Sequence, residues 1–218
     1  MRQRFDKVSD RVKIVLVEPK KGGNVGSVAR VMMNFGFSEL ALVNPPYPDD
    51  EMKMFAMHAW DIVEKANVYS SLEDAVMECG VVVATTGVVP KSEKEHVRHP
   101  IYTIDQLPSI LKGVGGKVGI VFGREDNGLT SEEIGMCDIV ITIPTSSDYP
   151  SMNLSHAVAI TLYELSRNAS SLVERTSSTF EDRKLFFERV YSLLLDVDYP
   201  PHKIDKTMLV LRRVIGRA

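Results

Sequence analysis

Short runs of β-branched and aliphatic residues recur along the chain, separated by segments whose apolar residues return every three or four positions. The runs are Arg11–Glu18 (RVKIVLVE), Glu39–Asn44 (ELALVN), Gly80–Thr86 (GVVVATT), Lys117–Gly123 (KVGIVFG) and Asp138–Pro144 (DIVITIP). They are nearly continuous in apolar character rather than alternating, which predicts strands covered on both faces. Between the first two, Val25, Val28, Ala29, Met32 and Met33 share a helical face that ends at Gly36, with Asn24 placed as N-cap. Asp50–Lys65 predicts one further helix, and Ser71 with Asp74 opens a short one to Cys79. Thr103 with Gln106 opens a helix ending near Leu111, and Thr130 with Glu133 caps another. After Ser151, placed as N-cap, Leu154, Ala157, Val158, Thr161, Leu162 and Leu165 repeat at helical spacing. Strands thus alternate with helices, which predicts an α/β fold: a mostly parallel sheet covered by helices.

Composition changes this picture only near the C-terminus. Around Arg167–Thr179 large apolar residues give way to Ser and Thr, so residues 1–168 read as one domain, 169–179 as a linker and 180–218 as a helical, basic extension separable from the rest. The 218 residues carry a formal net charge of -3, which argues against a polybasic nucleic-acid coat but leaves local patches open. Lys203, Lys206, Arg212, Arg213 and Arg217 face only Asp205 after Tyr199, and the first thirteen residues are also basic; both ends are candidate polyanion contacts or simply solvated termini. No apolar run approaches the roughly 20 residues of a membrane span, so a soluble, cytoplasmic protein is expected. Cys79 and Cys137 have no metal-type spacing and read as reduced core thiols, although both precede a strand and a disulfide between neighbours stays open.

In a parallel sheet the loops leaving the strand C-termini gather on one edge, and four of them are unusual. In KKGGNVGSVAR, Gly22, Gly23 and Gly26 allow backbone to approach a ligand, although neither the dinucleotide fingerprint nor a Walker A loop fits. Arg30 follows Asn24 on the same helix, and reads either as a helix arginine with its stem on apolar surface or as a ligand contact. Thr85, Thr86 and Gly87 end a strand in hydroxyls and a glycine. In FGREDNGL, Gly123 allows close approach and Glu125 stands beside Arg124, either in a solvated turn or at a ligand. The fourth loop, from Pro144 to Asn153, joins a strand end to a helix N-terminus, the usual ligand edge of α/β proteins. The five histidines and the acids show no metal-ligand spacing, so no metal is expected. Ser151 lacks a nucleophile elbow, which disfavours hydrolysis. Trp60 and the Met52, Met54 and Met57 stripe read as core or an oligomer face.

Together these loops resemble the SPOUT class of S-adenosylmethionine-dependent RNA methyltransferases, in its TrmH/SpoU family. NVGSVAR (24–30) looks like that family's first motif, VFGREDNGL (121–129) its second and IPTSSDYPSMNLSHAVAI (143–160) its third; Met152 stands where leucine is usual. The resemblance implies a C-terminal trefoil knot and a homodimer with active sites at the interface. It implies that S-adenosylmethionine rests on Thr85, Thr86, Gly87, Gly123, Glu125, Ile143, Ser151, Met152 and Asn153. Arg30, Ser151 and Asn24 would be catalytic. The RNA would be held by Arg30, by Lys91, Lys94 and Arg98, and by the tail through Arg212 and Arg213. The opening segment, LVNP and the helical tail are similar to members that methylate the ribose 2′-hydroxyl of nucleotide 32 in the tRNA anticodon loop, with cytidine as the expected acceptor. Two alternatives stay open: a non-catalytic RNA-binding protein on this fold, and methylation of a base or of another RNA.

Overall fold

The five apolar runs are strands of one sheet: β1 (Val12–Val17), β2 (Glu39–Val43), β4 (Cys79–Thr85), β6 (Lys117–Phe122) and β7 (Ile139–Thr142). Two three-residue strands, β3 (Asn67–Tyr69) and β5 (Ile101–Thr103), complete it at the two edges. The order is β3-β2-β1-β6-β4-β7-β5 and every pairing is parallel. The computed structural model describes residues 9–87, 100–112, 114–146, 148–168 and 178–215. The edge strands escape the sequence pattern because they are half-exposed and too short to form an apolar run.

The helices are α1 (Gly22–Asn34), α2 (Asp50–Ala56), α3 (Trp60–Glu64), α4 (Leu72–Val76), α5 (Leu107–Ile110), α6 (Ser131–Met136), α7 (Leu154–Arg167), α8 (Phe180–Asp196) and α9 (Pro201–Ile215). Alternate residues of β1 feed two cores. Val12, Ile14 and Leu16 meet α1, α2, α3, α5 and α7 on one face, whereas Val15 and Val17 share the other with α4, α6 and Phe180. The single helix expected over Asp50–Lys65 is broken: Met57 takes φ 52 and a 3-10 turn, Met57–Ala59, separates α2 from α3.

Three capping expectations hold and two shift. Ser71 caps α4 by accepting from the Asp74 N–H at 3.1 Å. Both Thr103 with Gln106 and Thr130 with Glu133 form reciprocal capping boxes. Ser151, however, is not a cap; Asn153 caps α7 by accepting from the Ser155 N–H at 2.9 Å. Asn24 lies inside the first turn of α1, whose N-cap is Lys21. That leaves the Asn24 side chain free for another use.

The glycines of the first loop serve packing rather than ligand approach. A side chain at Gly26 would overlap the Met52 carbonyl and come within 2.8 Å of the Ala56 nitrogen, so α2 lies backbone-to-backbone on α1. Gly22 is covered by the Asp49 carboxylate and Gly23 by Glu51 and Phe55. Gly123 is likewise forced by the chain itself, because an added Cβ would fall onto the Gly128–Leu129 peptide. Cys79 and Cys137 are free thiols in the second core, where burial pushes both up to about 12.

The C-terminal helices are joined to the sheet by buried charge. Asp138, fully buried at the entrance to β7, accepts at Oδ2 from the Val82 N–H and from Arg183 Nη2, both at 2.9 Å. Arg183 also donates to the carbonyls of Gly80 and Ser178. Arg213 is buried and donates to the Cys137 carbonyl at 2.7 Å, while Arg212 lies over the Phe187 ring, 4.6 Å from its centroid. The expected phosphate contacts Arg212 and Arg213 are thus turned into the protein, where their charge answers Asp138 and peptide carbonyls. The expected linker falls largely outside the described residues, as do Lys91, Lys94 and Arg98.

Candidate active site

β1 and β6 are neighbours in the sheet although β2, β3, β4 and β5 come between them in the chain. β1 leads outward to β2 and β3, whereas β4, β7 and β5 lie on the other side of β6. Open parallel sheets bind ligands at such a reversal, beyond the strand C-termini. A cleft of about 210 Å³ opens to one side of that reversal, beyond the C-termini of β4, β6 and β7. Its walls are residues 85–87, 122–129, Ile141 and Ile143, with Thr145, Pro150, Ser151 and Met152 leading into Leu154 and Ala157 of α7. Thr85, Thr86, Gly87, Gly123, Glu125, Ile143, Ser151 and Met152 therefore share one cavity. Asn153 stands next to it at the head of α7.

A chain of hydrogen bonds joins the three loops at its mouth. Glu125 accepts from Asn24 Nδ2 at 2.7 Å and from the N–H groups of Lys20 and Lys21 at 2.9 and 3.2 Å. Asn24 Oδ1 accepts from Asn153 Nδ2 at 3.1 Å, and Asn153 Oδ1 accepts from the Ser155 hydroxyl at 2.7 Å. Burial would raise the Glu125 carboxyl, but the Asn24 amide and the Lys20 and Lys21 peptides outweigh it and hold it below the usual carboxylate range. The carboxylate is thus ionised at neutral pH, and it fixes which way the Asn24 amide points. Asn24 in turn fixes Asn153.

Arg124, which stands beside Glu125 in the sequence, turns the other way. It donates to Glu18 at 2.8 Å and, in a two-pronged pair, to Glu133 at 3.0 and 3.1 Å, with the Gly128 carbonyl at 3.3 Å. The guanidinium is held firmly protonated by these acids, Glu18 foremost. Glu18 ends β1 at φ 45 and Glu133 belongs to the α6 capping box, so Arg124 ties a strand end and a helix start to the 124–128 turn. Lys20 and Asp126 form an outer ion pair across the same gap. Sequence reasoning missed this clamp; the sole hint was Glu133, recognisable as a capping residue.

Arg30 is exposed on α1 and has no hydrogen bond or ion pair among the described residues, so its charge is available to a ligand. The cleft combines apolar walls (Phe122, Leu129, Ile141, Ile143, Met152) with carboxylates at Glu125 and Asp126. Among the described residues a side chain added at Gly87 would meet only the Pro150 carbonyl, at 3.5 Å. This lining suits a ligand that combines an apolar portion with positive charge. No group of acids, histidines and cysteines able to hold a metal occurs among the described residues.

The model of the SpoU rRNA methylase family matches residues 11–163, which contain every loop of the cleft. The chain is 40% identical to the tRNA (cytidine-2′-O-)-methyltransferase TrmJ of Methanocaldococcus jannaschii over 95% of its own length and 92% of that protein. It is 30% identical to the tRNA (cytidine/uridine/adenosine-2′-O-)-methyltransferase TrmJ of Pseudomonas aeruginosa, covering 96% of this chain and 87% of that one. A crystal structure of TrmJ from Z. mobilis superposes with a TM-score of 0.77 at 29% identity, over 94% of this chain and 90% of the other. With its three motif loops meeting at one cleft and the match spanning the sheet from β1 to α7, the chain belongs to the SpoU rRNA methylase family.

Proposed function

We propose that this protein is an S-adenosylmethionine-dependent tRNA ribose 2′-O-methyltransferase acting on nucleotide 32 of the anticodon loop, with cytidine as an acceptor. The observation that carries the reading is the Glu125–Asn24–Asn153 hydrogen-bond chain at the mouth of the cleft. When bound, the cofactor supplies an electrophilic methyl group on a sulfonium. The residues of the 85–87, 122–129 and 143–152 segments would hold it, their apolar walls against its adenine portion and the acids nearby favouring its charge.

What remains for the chain is to bring a 2′-hydroxyl into line and to stabilise the oxyanion as its proton leaves. Positioning of that kind supplies much of the acceleration in such displacements. Asn153 and Ser151 would orient the hydroxyl, with Asn24 and Glu125 keeping Asn153 fixed. Arg30 acts as an electrostatic clamp on phosphate and developing oxyanion, because a guanidinium stays protonated in proteins and makes a poor base. The trefoil knot and the interface-built homodimer belong to the same proposal. They are supported by the family membership and, for the dimer, by exposed Met33 and Tyr163 on the adjoining α1 and α7.

The test is mass spectrometry of tRNA nucleosides after incubation with S-adenosylmethionine. A 2′-O-methylated nucleoside mapping to position 32 is the expected result. A base-methylated product, or methyl transfer elsewhere in the tRNA, overturns the corresponding part of the proposal. The spread of nucleosides in the relatives' names makes uridine and adenosine the next acceptors to measure.

A further inference from the structure

Tyr47 is 93% exposed, the most exposed large apolar side chain among the described residues. It stands in the segment Asn44-Pro45-Pro46-Tyr47-Pro48-Asp49, between β2 and α2. Each proline fixes its own φ near about −65°, and Pro46 and Pro48 disfavour helical conformations in the residues before them, so the loop is stiff by composition, while Asn44 turns the chain into it at φ 45. Both its ends are pinned. The Asn44 N–H donates to the Tyr69 carbonyl at 3.0 Å and its side chain to the Ser70 carbonyl at 3.1 Å, while Asp49 accepts from the Met52 N–H at 2.7 Å.

The loop also lies beside the candidate active site. It leaves the C-terminal end of β2, next to β1, where the Glu18 N–H donates to the Val43 carbonyl at 2.8 Å. Its last residue, Asp49, covers Gly22, two positions before Asn24. A stiff loop that holds a bare aromatic ring in water gains nothing for the fold, but presents a flat surface whose ordering cost is already met. The acids Asp49, Asp50 and Glu51 follow directly and repel phosphate, so a nucleic-acid backbone is unsuited to this spot. A base is uncharged, and its face suits the ring.

We propose that Tyr47 is a stacking platform for an unpaired base of the RNA substrate, a neighbour of the nucleotide that is methylated. This rests on the reading of the chain as a tRNA ribose methyltransferase. Sequence-specific RNA recognition commonly stacks splayed loop bases on aromatic side chains.

The experiment compares wild type, Tyr47→Ala and Tyr47→Phe in steady-state methyl transfer to tRNA, with S-adenosylmethionine affinity measured by calorimetry. Tyr47→Ala should raise the KM for tRNA roughly 5- to 100-fold, the span seen when one base loses its aromatic partner. Cofactor affinity should not change. Tyr47→Phe keeps the ring and should behave as wild type. The slope of log affinity for tRNA against log salt should be the same in all three proteins, since stacking releases no counterions. An unchanged KM in Tyr47→Ala, a Tyr47→Phe as impaired as Tyr47→Ala, or a shallower salt slope overturns the inference while leaving the parent reading in place. A wild type that transfers no methyl to tRNA overturns both.

Discussion

Replacing Arg183 with methionine removes the hydrogen-bonded counter-ion of a buried carboxylate and leaves it only the weaker Coulombic pull of Arg212 and Arg213. Asp138 is fully buried, its Oδ2 bonded to Arg183 and to Val82, and its Oδ1 without a hydrogen bond among the described residues. Breaking a buried pair from one side costs about 3–5 kcal/mol, because the remaining charge is neither hydrated nor paired. Methionine keeps an unbranched apolar side chain in the gap, so the loss reports the charge and the two carbonyl contacts to Gly80 and Ser178. For a chain of this size each kcal/mol moves Tm by about 2–4 °C, so the melting point should fall by about 10 °C. The pH dependence gives an independent check. Burial already pushes the Asp138 carboxyl up and Arg183 is the chief influence pulling it down, so in the variant it rises further. A carboxyl whose folded pKa exceeds its unfolded value takes up a proton on folding, and stability then increases as pH falls through the folded value. The variant should therefore recover part of its deficit when the pH is lowered from a mildly alkaline to a mildly acidic value, which thermal denaturation followed by circular dichroism will show. Adding Asp138→Asn to Arg183→Met should cost less than the two single losses added together. A deficit under about 1 kcal/mol, or one that is the same at both pH values, would refute the role assigned to this pair.

Three further outcomes are expected. Glu125→Gln loses a charged acceptor shared by three donors and should lower kcat/KM roughly 10- to 100-fold with little change in Tm; because the folded pKa of Glu125 is depressed, the order it provides is complete at neutral pH and fades only as pH falls through the carboxylate range. Mixing Arg30→Ala with Asn153→Ala chains should restore about half the wild-type activity per dimer if each site takes Arg30 from one subunit and Asn153 from the other, and almost none if both come from the same subunit. Methyl transfer should survive exhaustive treatment with a chelator; loss restored by one particular divalent metal would overturn the metal-free mechanism.

Much of the fold was legible because five strands are buried on both faces and announce themselves as apolar runs. What stayed hidden was whatever depends on distant partners. β3 and β5 are strands only because β2 and β7 offer them an edge. Asn24 reads equally well as a cap or as a free amide until Glu125 is seen beneath it, and Arg124 reads as the partner of its neighbour until it is seen between Glu18 and Glu133. The glycines of the first loop looked ligand-facing, yet the backbone of α2 is what they admit. The basic tail misled for the same reason: sequence counts charges, while burial decides where they point. Arg213 satisfies a peptide carbonyl inside the protein, and a phosphate would have to pull it out.

The Asp138 latch also bears on how the chain comes off the ribosome. All three motif loops lie within residues 11–163, and the strands that carry them are synthesised before Arg183 and Arg213 exist. Domains tend to fold from the N-terminus as they are made. Here β7 brings a carboxylate into the interior whose neutralising partners are encoded 45 and more residues later. Until α8 emerges, the sheet can form only with Asp138 protonated, hydrated or unpaired, so the cleft on β7 stays provisional until that helix has been made. A truncated product would carry every residue of the candidate active site and still lack the cation that lets its last central strand settle, which makes completion of the polypeptide a condition for a stable catalytic edge.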